Sequence, residues 1–228
     1  NVVGTESLAK AALAAGVRRF VFVSSIGVNG DRTEDRGFSE SDVPRPTEPY
    51  AMSKLEAEQL LRNEYASRFE LVIVRPPLVY GPGAAGNFRR LVRLAASGLP
   101  LPLGAIRNAR SLIGVENLAD FLCLCASHPK AAGELFLIAE PERHSTPDLI
   151  RALAAALGRP SRMFSVPMAL LKSLAAVIGK SRELEKLCSS LVVNSSKAGD
   201  LLDWKPRRTF SEQIADVALA YRREYLGH

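Results

Sequence analysis

Near the start of the chain, the spacing of apolar residues changes from a helical period to an almost unbroken run. The helical period predicts a helix over residues 5–15, with Gly16 placed to end it. The predicted apolar face of this helix consists of Leu8, Ala11, Ala12 and Ala15. The run over residues 17–24 is typical of a parallel strand that is covered on both faces. A helix followed by a buried strand is the pattern of an α/β fold.

A long polar segment, residues 27–49, separates this strand from the next predicted elements. Connections of this length within a compact domain are usually functional or disordered. The pattern then predicts a helix over residues 50–68 and a strand over residues 71–74, which should end at Arg75 because proline follows. The expected outward positions of the helix are Glu56 and Glu58, and the expected inward positions are Leu55, Leu60 and Leu61.

The second half of the chain has mainly helical patterns. A helix is expected over residues 87–96, closed by Gly98, and another over residues 114–127; a short strand is expected over residues 134–138. The expected core face of the second of these helices is Leu118, Phe121, Leu122 and Cys125. Further predicted helices cover residues 146–157, 166–178, 183–190, 195–202 and 210–226, with Ser195 and Ser211 as expected caps.

This order of elements predicts a nucleotide-fold core that carries a smaller substrate lobe. No internal repeat, low-complexity tract or linker divides the chain. No glycine-rich dinucleotide loop follows an opening strand, so the strand over residues 17–24 would lie near an uncovered sheet edge, which natural proteins avoid. We therefore expect that the chain lacks an N-terminal portion that once paired with this strand.

The composition is that of an ordinary globular protein. The 228 residues are 47% hydrophobic and 24% charged. No uninterrupted apolar segment approaches the ~18 residues of a membrane span, and the first residues resemble neither a signal peptide nor a transit peptide. A cytoplasmic location is therefore expected.

The cysteines, the histidines and the net charge indicate which kinds of site and partner the chain could have. The cysteines, Cys123, Cys125 and Cys188, form no Cys-x-x-Cys motif, and we expect free, mostly buried thiols. The histidines, His128, His144 and His228, fall on expected loops and on the tail, so we predict no metal site. The net charge of +6 comes mainly from scattered arginines and suits a phosphate-bearing small molecule. No nucleic-acid-binding motif accompanies it, and no nucleic-acid partner is predicted.

Ser25, Tyr50 and Lys54 form the candidate acid–base site. Ser25 directly follows the first predicted strand, Tyr50 begins the next helix, and Lys54 lies one turn further along the same helix face. A free phenol is a poor base at neutral pH, but an adjacent ammonium group and the positive end of the helix dipole both favour its ionised form. Ser25 would hold a substrate oxygen while Tyr50 moves the proton. An isolated Tyr-x-x-x-Lys is more often a surface pair, so the surrounding sequence decides the assignment.

That surrounding sequence resembles the extended short-chain dehydrogenase/reductases, specifically the NAD-dependent nucleotide-sugar epimerase/dehydratase family. The motifs that carry the resemblance occur in the family's order and span essentially the whole chain. They are Asn1-Val-Val-Gly-Thr, Phe20-Val-Phe-Val-Ser-Ser-Ile-Gly-Val-Asn-Gly, Pro49-Tyr-Ala-Met-Ser-Lys, Val72-Ile-Val-Arg-Pro-Pro-Leu-Val-Tyr-Gly-Pro-Gly and Ser195-Ser-Lys-Ala-Gly-Asp-Leu-Leu-Asp-Trp-Lys-Pro. The implied fold is α/β, a Rossmann-like doubly wound parallel sheet without its N-terminal strands, with a small, mostly helical C-terminal substrate lobe.

The resemblance also implies roles for individual residues. Tyr50 would be the catalytic base and acid, Lys54 would assist it and hold the nicotinamide ribose, and Ser25 would bind O4 of the substrate. The implied contacts to NAD, or to NADP as an alternative, are Asn1, Ser24, Tyr50, Lys54 and Pro77. The implied substrate residues besides Ser25 are Asn87 at the diphosphate and Arg110, whose planar guanidinium suits phosphate oxygens.

The same resemblance suggests how the chain is divided and what it binds. Residues 1–80 would form the C-terminal part of the NAD-binding domain, and residues 81–228 would form mainly the substrate lobe, with some segments returning to the core. The implied substrate is a nucleotide sugar. A homodimer packed through helices that include residues 50–68 is also implied.

At four positions the chain has residues that differ from those found in members of this family. Dehydratases of this family carry Asp-Glu directly after the catalytic serine or threonine; here Ile26 and Gly27 stand there, so 4,6-dehydration is not expected. A second phosphate-binding arginine of the epimerases aligns near Leu184, which argues against a UDP-sugar in the usual pose. A position that can hold a crowding tyrosine aligns near Leu191, so N-acetylated hexoses could be admitted.

The leading interpretation is NAD-dependent 4-epimerisation of a UDP-hexose or UDP-N-acetylhexosamine through a 4-keto sugar. One alternative is an NADP-dependent keto-sugar or other carbonyl reductase, and another is a non-catalytic nucleotide-sensing protein. A lipid-linked sugar would fit if the apolar residues 166–180, which have basic ends, touched a membrane, but we expect a packed helix there. Because the glycine-rich loop is absent, we expect the 228 residues alone to bind NAD weakly or not at all and to be inactive.

Overall fold

Helices and strands alternate through the structure, a computed structural model that describes residues 1–225. The strands are β1 (Arg19–Val23), β2 (Glu70–Arg75), β3 (Leu78–Tyr80), β4 (Arg110–Gly114), β5 (Leu135–Leu137) and β6 (Arg143–His144). The helices are α1 (Val2–Ala14), α2 (Pro49–Leu60), α3 (Gly86–Ala96), α4 (Val115–Ser127), α5 (Thr146–Ala156), α6 (Met168–Val177), α7 (Ser181–Cys188), α8 (Ser196–Leu202) and α9 (Phe210–Tyr225).

Two units divide the chain, and each is assembled from separated stretches of sequence. Unit 1 comprises Asn1–Pro77, Val115–Pro141 and Val193–Arg207. Unit 2 comprises Leu78–Gly114, Glu142–Val192 and the chain from Arg208 onward. Each unit therefore consists of three separated stretches, and the second and third stretches of unit 1 come from the second half of the chain.

A parallel sheet in the order β1-β2-β5 forms the centre of unit 1. Val23 lies opposite Val74, and Ile73 lies opposite Leu135. From Leu71 onward β2 is buried, as the apolar pattern predicts for a central parallel strand. The prediction that β1 is covered on both faces is wrong: Phe20 and Phe22 on one face are buried, whereas on the other face Arg19 and Val21 are only partly buried and Val23 is exposed.

Helix α1 packs on this sheet through a face that differs from the predicted one. Ala9 is fully buried in the cluster that includes Phe20 and Leu61, with Ala12 and Leu13 beside it, whereas Leu8 points outward. The helix also begins earlier than predicted, at Val2. Its end is confirmed, since Gly16 adopts φ 71°, a conformation that favours glycine.

Helix α2 is shorter than the predicted helix over residues 50–68. Its α-helical part ends at Leu60, and a π-helical turn, Leu61–Tyr65, completes the segment. Leu61 is buried as expected. Glu58, which was expected to face outward, is instead buried, because it forms an ion pair with Arg75 in the interior of unit 1.

Unit 2 contains a second small sheet that the hydrophobic pattern does not predict. Strand β3 runs parallel to β4, and β6 runs antiparallel to β4. Against this sheet lies a core formed mainly from α3, α5 and α9, including Tyr80, Phe88, Leu149, Leu153 and Val217. His144, expected on a loop, belongs to β6 and stacks on Phe210 with 3.8 Å between ring centroids.

Two predicted helix caps behave differently from expectation. Ser195 stands at the N-cap of α8, but its hydroxyl donates to Ala139 O at 3.1 Å instead of capping the helix. Ser211 lies inside α9, where Thr209 accepts from the Glu212 amide at 3.3 Å. The predicted end of this helix at Leu226, and His228 beyond it, lie outside the described residues.

Helix α6 forms where a helix was predicted, and it packs in unit 2 through one of its faces. Only Leu171 and Ala175 of this helix are buried. Among residues 1–225, no helix combines the length and the apolar character needed to cross a bilayer. The three cysteines are free thiols, and only Cys125 is fully buried.

Candidate active site

The segment that follows β1 is fixed to the end of β2 by backbone hydrogen bonds. The Ser24 amide donates to Val74 O at 2.7 Å, and the Ile26 amide donates to Pro76 O at 2.9 Å. Ser25 then caps a 3₁₀ turn, Ile26–Val28, because its hydroxyl accepts from the Gly27 amide at 3.1 Å. The hydroxyl of Ser25 is thereby held at the carboxyl end of the parallel sheet.

Gly27 allows this turn to approach the start of α2. A Cβ atom at Gly27 would lie 3.2 Å from Ala51 Cβ and 3.4 Å from Ser25 Oγ. The contact with Ala51 would be tighter than nine in ten natural Cβ contacts, so the turn or the helix would have to shift by a few tenths of an ångström. The structure therefore places Ser25 beside the first turn of the helix that carries Tyr50.

Tyr50 and Lys54 share one face of α2, as their spacing predicts. Pro49 occupies the first helical turn, and Tyr50 follows it with 55% of its surface exposed. The Lys54 ammonium lies 5.9 Å from the centroid of the Tyr50 ring and donates to Val23 O at 2.9 Å. Burial lowers the pKa of Lys54, while the carboxylate of Glu58 opposes that shift. The Lys54 cation is thus held between α2 and the end of β1.

Ser24 presents a buried polar atom without a partner. Its hydroxyl oxygen makes no hydrogen bond in the described structure, although only 4% of the residue is exposed. Buried polar groups are normally paired, so such an atom marks a place where a ligand could bind. It lies at the carboxyl end of a parallel strand, which is where open α/β sheets bind nucleotides.

Asn1 lies near the same helix face. Its amide nitrogen donates to Ser53 Oγ at 2.8 Å, and Ser53 Oγ donates in turn to Tyr50 O at 2.8 Å. Pro77 is buried directly after β2. The structure thus places Asn1, Ser24, Ser25, Tyr50, Lys54 and Pro77 within unit 1.

Sequence reasoning missed a buried polar network that supports this region. The Arg75 guanidinium contacts both carboxylate oxygens of Glu58, at 2.9 and 2.5 Å, and donates to Asn29 Oδ1 at 2.9 Å. Asn29 ends the turn that Ser25 begins. A signal existed in the sequence: Glu58 lies one helical turn after Lys54 on the same face, and a charged Arg75 ends an apolar strand.

The two substrate residues implied by the resemblance belong to unit 2. Asn87 is exposed in the first turn of α3. Arg110 in β4 donates through Nη1 to Lys186 O at 2.8 Å and to Ser189 O at 3.0 Å, and burial lowers its pKa. Leu191 pairs with the same strand, since its amide donates to Ala109 O at 2.9 Å, and its side chain is buried. Leu184 is half-buried in α7.

The chain is similar to known proteins over almost its full length. Residues 1–139 match the model of the NAD dependent epimerase/dehydratase family. The UDP-glucose 4-epimerase of Vibrio cholerae is 42% identical over 224 residues, which cover 97% of this chain and 68% of that protein. The chain therefore spans about two thirds of the length of this relative.

Solved structures show the same fold. The UDP-glucuronic acid 4-epimerase of Bacillus cereus, in complex with NAD, superposes with a TM-score of 0.77 at 22% identity, covering all of this chain and 67% of that one. MoeE5 in complex with UDP-glucose and NAD gives a TM-score of 0.73 at 26% identity, covering 98% and 71%. The predicted Rossmann-like parallel sheet with helices is confirmed by these likenesses and by the strand pairing of unit 1.

Proposed function

The chain belongs to the NAD dependent epimerase/dehydratase family of extended short-chain dehydrogenase/reductases, and from this premise we propose that the complete protein epimerises a nucleotide sugar at C4. The substrate would be a UDP-hexose or UDP-N-acetylhexosamine, and the reaction would pass through a transient 4-keto sugar. The observation that supports this most directly is the arrangement of unit 1, where the Ser25 turn abuts the first turn of the Tyr50–Lys54 helix.

The residues of unit 1 fit NAD as the cofactor. Ser24 offers an unpaired buried hydroxyl at the carboxyl end of β1, and the Lys54 ammonium donates to Val23 O, the last carbonyl of that strand. Asn1, Tyr50 and Pro77 would complete the contacts. When bound, NAD supplies the acceptor and the donor of the hydride at C4. We assign unit 1 to the NAD-binding and catalytic part, and unit 2 mainly to the substrate lobe.

Side chains of this chain carry out the proton transfers of the proposed reaction. Ser25 binds O4 of the sugar and holds it for Tyr50, which takes the hydroxyl proton as the 4-keto sugar forms and returns it after the sugar has turned over. Lys54 places a positive charge 5.9 Å from the centroid of the Tyr50 ring. Positioned acid–base catalysis of this kind contributes ~10²–10⁴-fold in rate.

The positions after Ser25 support epimerisation over dehydration. Loss of the C6 hydroxyl in family dehydratases uses an Asp-Glu pair, whereas here Ile26 is buried and Gly27 lies against Ala51. Neither position offers a carboxylate to a substrate. In unit 2 we assign Asn87 and Arg110 to the substrate diphosphate; Arg110 Nη1 already binds two carbonyl oxygens, which fixes the guanidinium in place.

Product analysis of the complete protein tests this proposal. It should be incubated with NAD and either UDP-glucose or UDP-N-acetylglucosamine, and the sugars should be identified by NMR. We expect the C4 epimer without net consumption of nicotinamide cofactor. Net oxidation of added NADPH would instead indicate the reductase, and no turnover of any nucleotide sugar would contradict the proposal.

A further inference from the structure

Asn29 is a buried polar residue that takes no part in the proposed proton transfers. Only 2% of its surface is exposed. Its carboxamide has a partner on each side: Oδ1 accepts from Arg75 Nη1 at 2.9 Å, and Nδ2 donates to Ser39 O at 3.2 Å. A guanidinium only donates and a carbonyl only accepts, so one orientation of the carboxamide satisfies both partners. Asn29 is therefore fixed between the end of β2 and the loop that contains Ser39.

A single short turn joins Asn29 to Ser25. Ser25 begins the 3₁₀ turn and Asn29 closes it, since the Asn29 amide donates to Ile26 O at 2.9 Å. At its start the turn is bound to the chain after β2, because the Ile26 amide donates to Pro76 O at 2.9 Å. At its end the Asn29 side chain binds Arg75. Both ends of the serine turn are therefore attached to two consecutive residues at the end of the central strand.

Arg75 connects this turn to the helix that carries Tyr50. Its Nε and Nη2 atoms bind the Glu58 carboxylate in the last turn of α2, and its Nη1 atom donates to Asn29. The charges of the ion pair offset each other, and the neutral carboxamide of Asn29 accepts the third hydrogen bond without adding a charge to the interior. All three side chains are buried, and close-packed interiors transmit small displacements. A continuous chain of hydrogen-bonded side chains thus runs from the serine turn to α2.

We propose that Asn29 is a positioning residue for the reaction: through Arg75 it sets where the Ser25 hydroxyl stands relative to Tyr50. This inference rests on the function proposed above for Ser25 and Tyr50. Asn29 acts on the turn that Ser25 begins, so its role requires no contact with the substrate. A misplacement of about 1 Å can cost ~10²-fold in rate. Loosening the turn should therefore lower kcat much more than it changes KM, because most contacts of a nucleotide sugar do not involve Ser25.

A double-mutant cycle on the complete protein tests this role. Its variants are Asn29→Ser, whose shorter side chain cannot reach both partners, Ser25→Ala, and the two changes together. We expect Asn29→Ser to lower kcat about tenfold or more in the parent protein, but by less than about twofold when residue 25 is already alanine, because no hydroxyl remains to be positioned. Equal factors in both backgrounds would overturn the proposal, since Asn29 would then act independently of Ser25. An undiminished kcat in Ser25→Ala would instead contradict the proposed function of Ser25, and this inference with it.

Asp42→Ala is the matched control for loosening of the loop that Asn29 contacts. The Asp42 carboxylate accepts from the Ser39 amide at 2.9 Å and pairs with Arg36, so this change frees the loop while Asn29 stays bound to Arg75. Its kcat should stay close to that of the parent protein. A fall in kcat as large as that of Asn29→Ser would overturn the proposal, because the loop would then set the position of the turn.

Hydrogen exchange detects loosening of the turn without any turnover. Deuterium uptake by peptides that contain residues 24–30 can be measured by mass spectrometry on the complete protein. These peptides include the amides of Ile26 and Gly27, which donate to Pro76 O and Ser25 Oγ. We expect Asn29→Ser to exchange about tenfold faster there and Asp42→Ala to match the parent protein, with uptake by β2 unchanged in both. Unchanged uptake in Asn29→Ser, or an equal acceleration in β2, would overturn the proposal whether or not a sugar is turned over.

Discussion

The guanidinium of Arg75 binds both carboxylate oxygens of Glu58, at 2.9 and 2.5 Å, and this buried ion pair joins the end of β2 to the last turn of α2. The side chains are 4% and 1% exposed. A third contact, from Arg75 to Asn29, connects the pair to the turn that Ser25 caps. Through these contacts Arg75 and Glu58 link α2, the central strand β2 and the serine turn of unit 1.

Replacing Glu58 with glutamine should destabilise the protein strongly. The change leaves the Arg75 charge buried without its counterion, and breaking a buried pair in this way costs about 3–5 kcal/mol. Chemical denaturation of the complete protein measures the loss. Glu56→Gln is the matched control on the exposed side of α2 and should change the free energy of unfolding by less than about 0.5 kcal/mol. Equal effects of the two variants would contradict the structural role of the pair.

Replacing Tyr50 with phenylalanine should abolish most of the proposed activity without affecting the fold. The variant keeps the ring but removes the hydroxyl that moves the proton, so kcat should fall by ~10²–10⁴-fold. Because Tyr50 is largely exposed, the melting temperature should remain unchanged. Turnover and thermal unfolding measured on the same preparation check both expectations, and an undiminished kcat would refute the catalytic assignment.

The cysteines should differ sharply in reactivity. Burial raises the pKa of the Cys125 thiol to about 12, whereas Cys123 is exposed on the same helix. At pH 8 the reactive thiolate of Cys125 is thus about a thousandfold rarer than that of an ordinary thiol. We expect a thiol reagent to label Cys123 rapidly and Cys125 only after unfolding, as mass spectrometry of the labelled peptides would show. Rapid native labelling of Cys125 would contradict its buried position.

The same raised pKa has a consequence for stability. Between the ordinary value of 9.0 and about 12, the folded protein keeps the Cys125 proton while the unfolded chain loses it. This thiol therefore stabilises the fold fully below pH 9, and its contribution is lost as the pH rises through that window. A Cys125→Ser variant should show a smaller loss of stability over this interval than the parent protein.

Much of the fold could be predicted because its signals are local. The apolar runs of β1 and β2 and the spacing of α3, α4 and α5 lie within short windows of sequence, and Gly16 and Gly98 stop their helices as expected. Strands β3, β4 and β6 could not be predicted, because they are short and their pairing joins residues far apart in sequence.

The candidate site was predictable to a similar degree. Tyr50 and Lys54 are four residues apart, so their shared helix face follows from sequence alone. The burial of Glu58 does not follow from the sequence alone. Its partner Arg75 is 17 residues away on another element, and a glutamate on a helix normally faces water. The exposure of α6 was also missed, since an apolar helix is usually a core helix.

Gly27→Ala should impair the proposed catalysis more than it impairs folding. The added methyl group would lie 3.2 Å from Ala51 Cβ and 3.4 Å from Ser25 Oγ, so the serine turn must move by a few tenths of an ångström away from the Tyr50 helix. Small misplacements of a catalytic group are costly, so we expect kcat to fall by about tenfold or more while unfolding changes by ~1–3 kcal/mol. Gly4→Ala on α1, where a new Cβ meets no atom within 4 Å, is the matched control and should raise stability by about 0.5–1 kcal/mol without altering kcat. Unchanged kcat in the Gly27 variant would mean that the contact between the turn and α2 does not position Ser25 for the reaction.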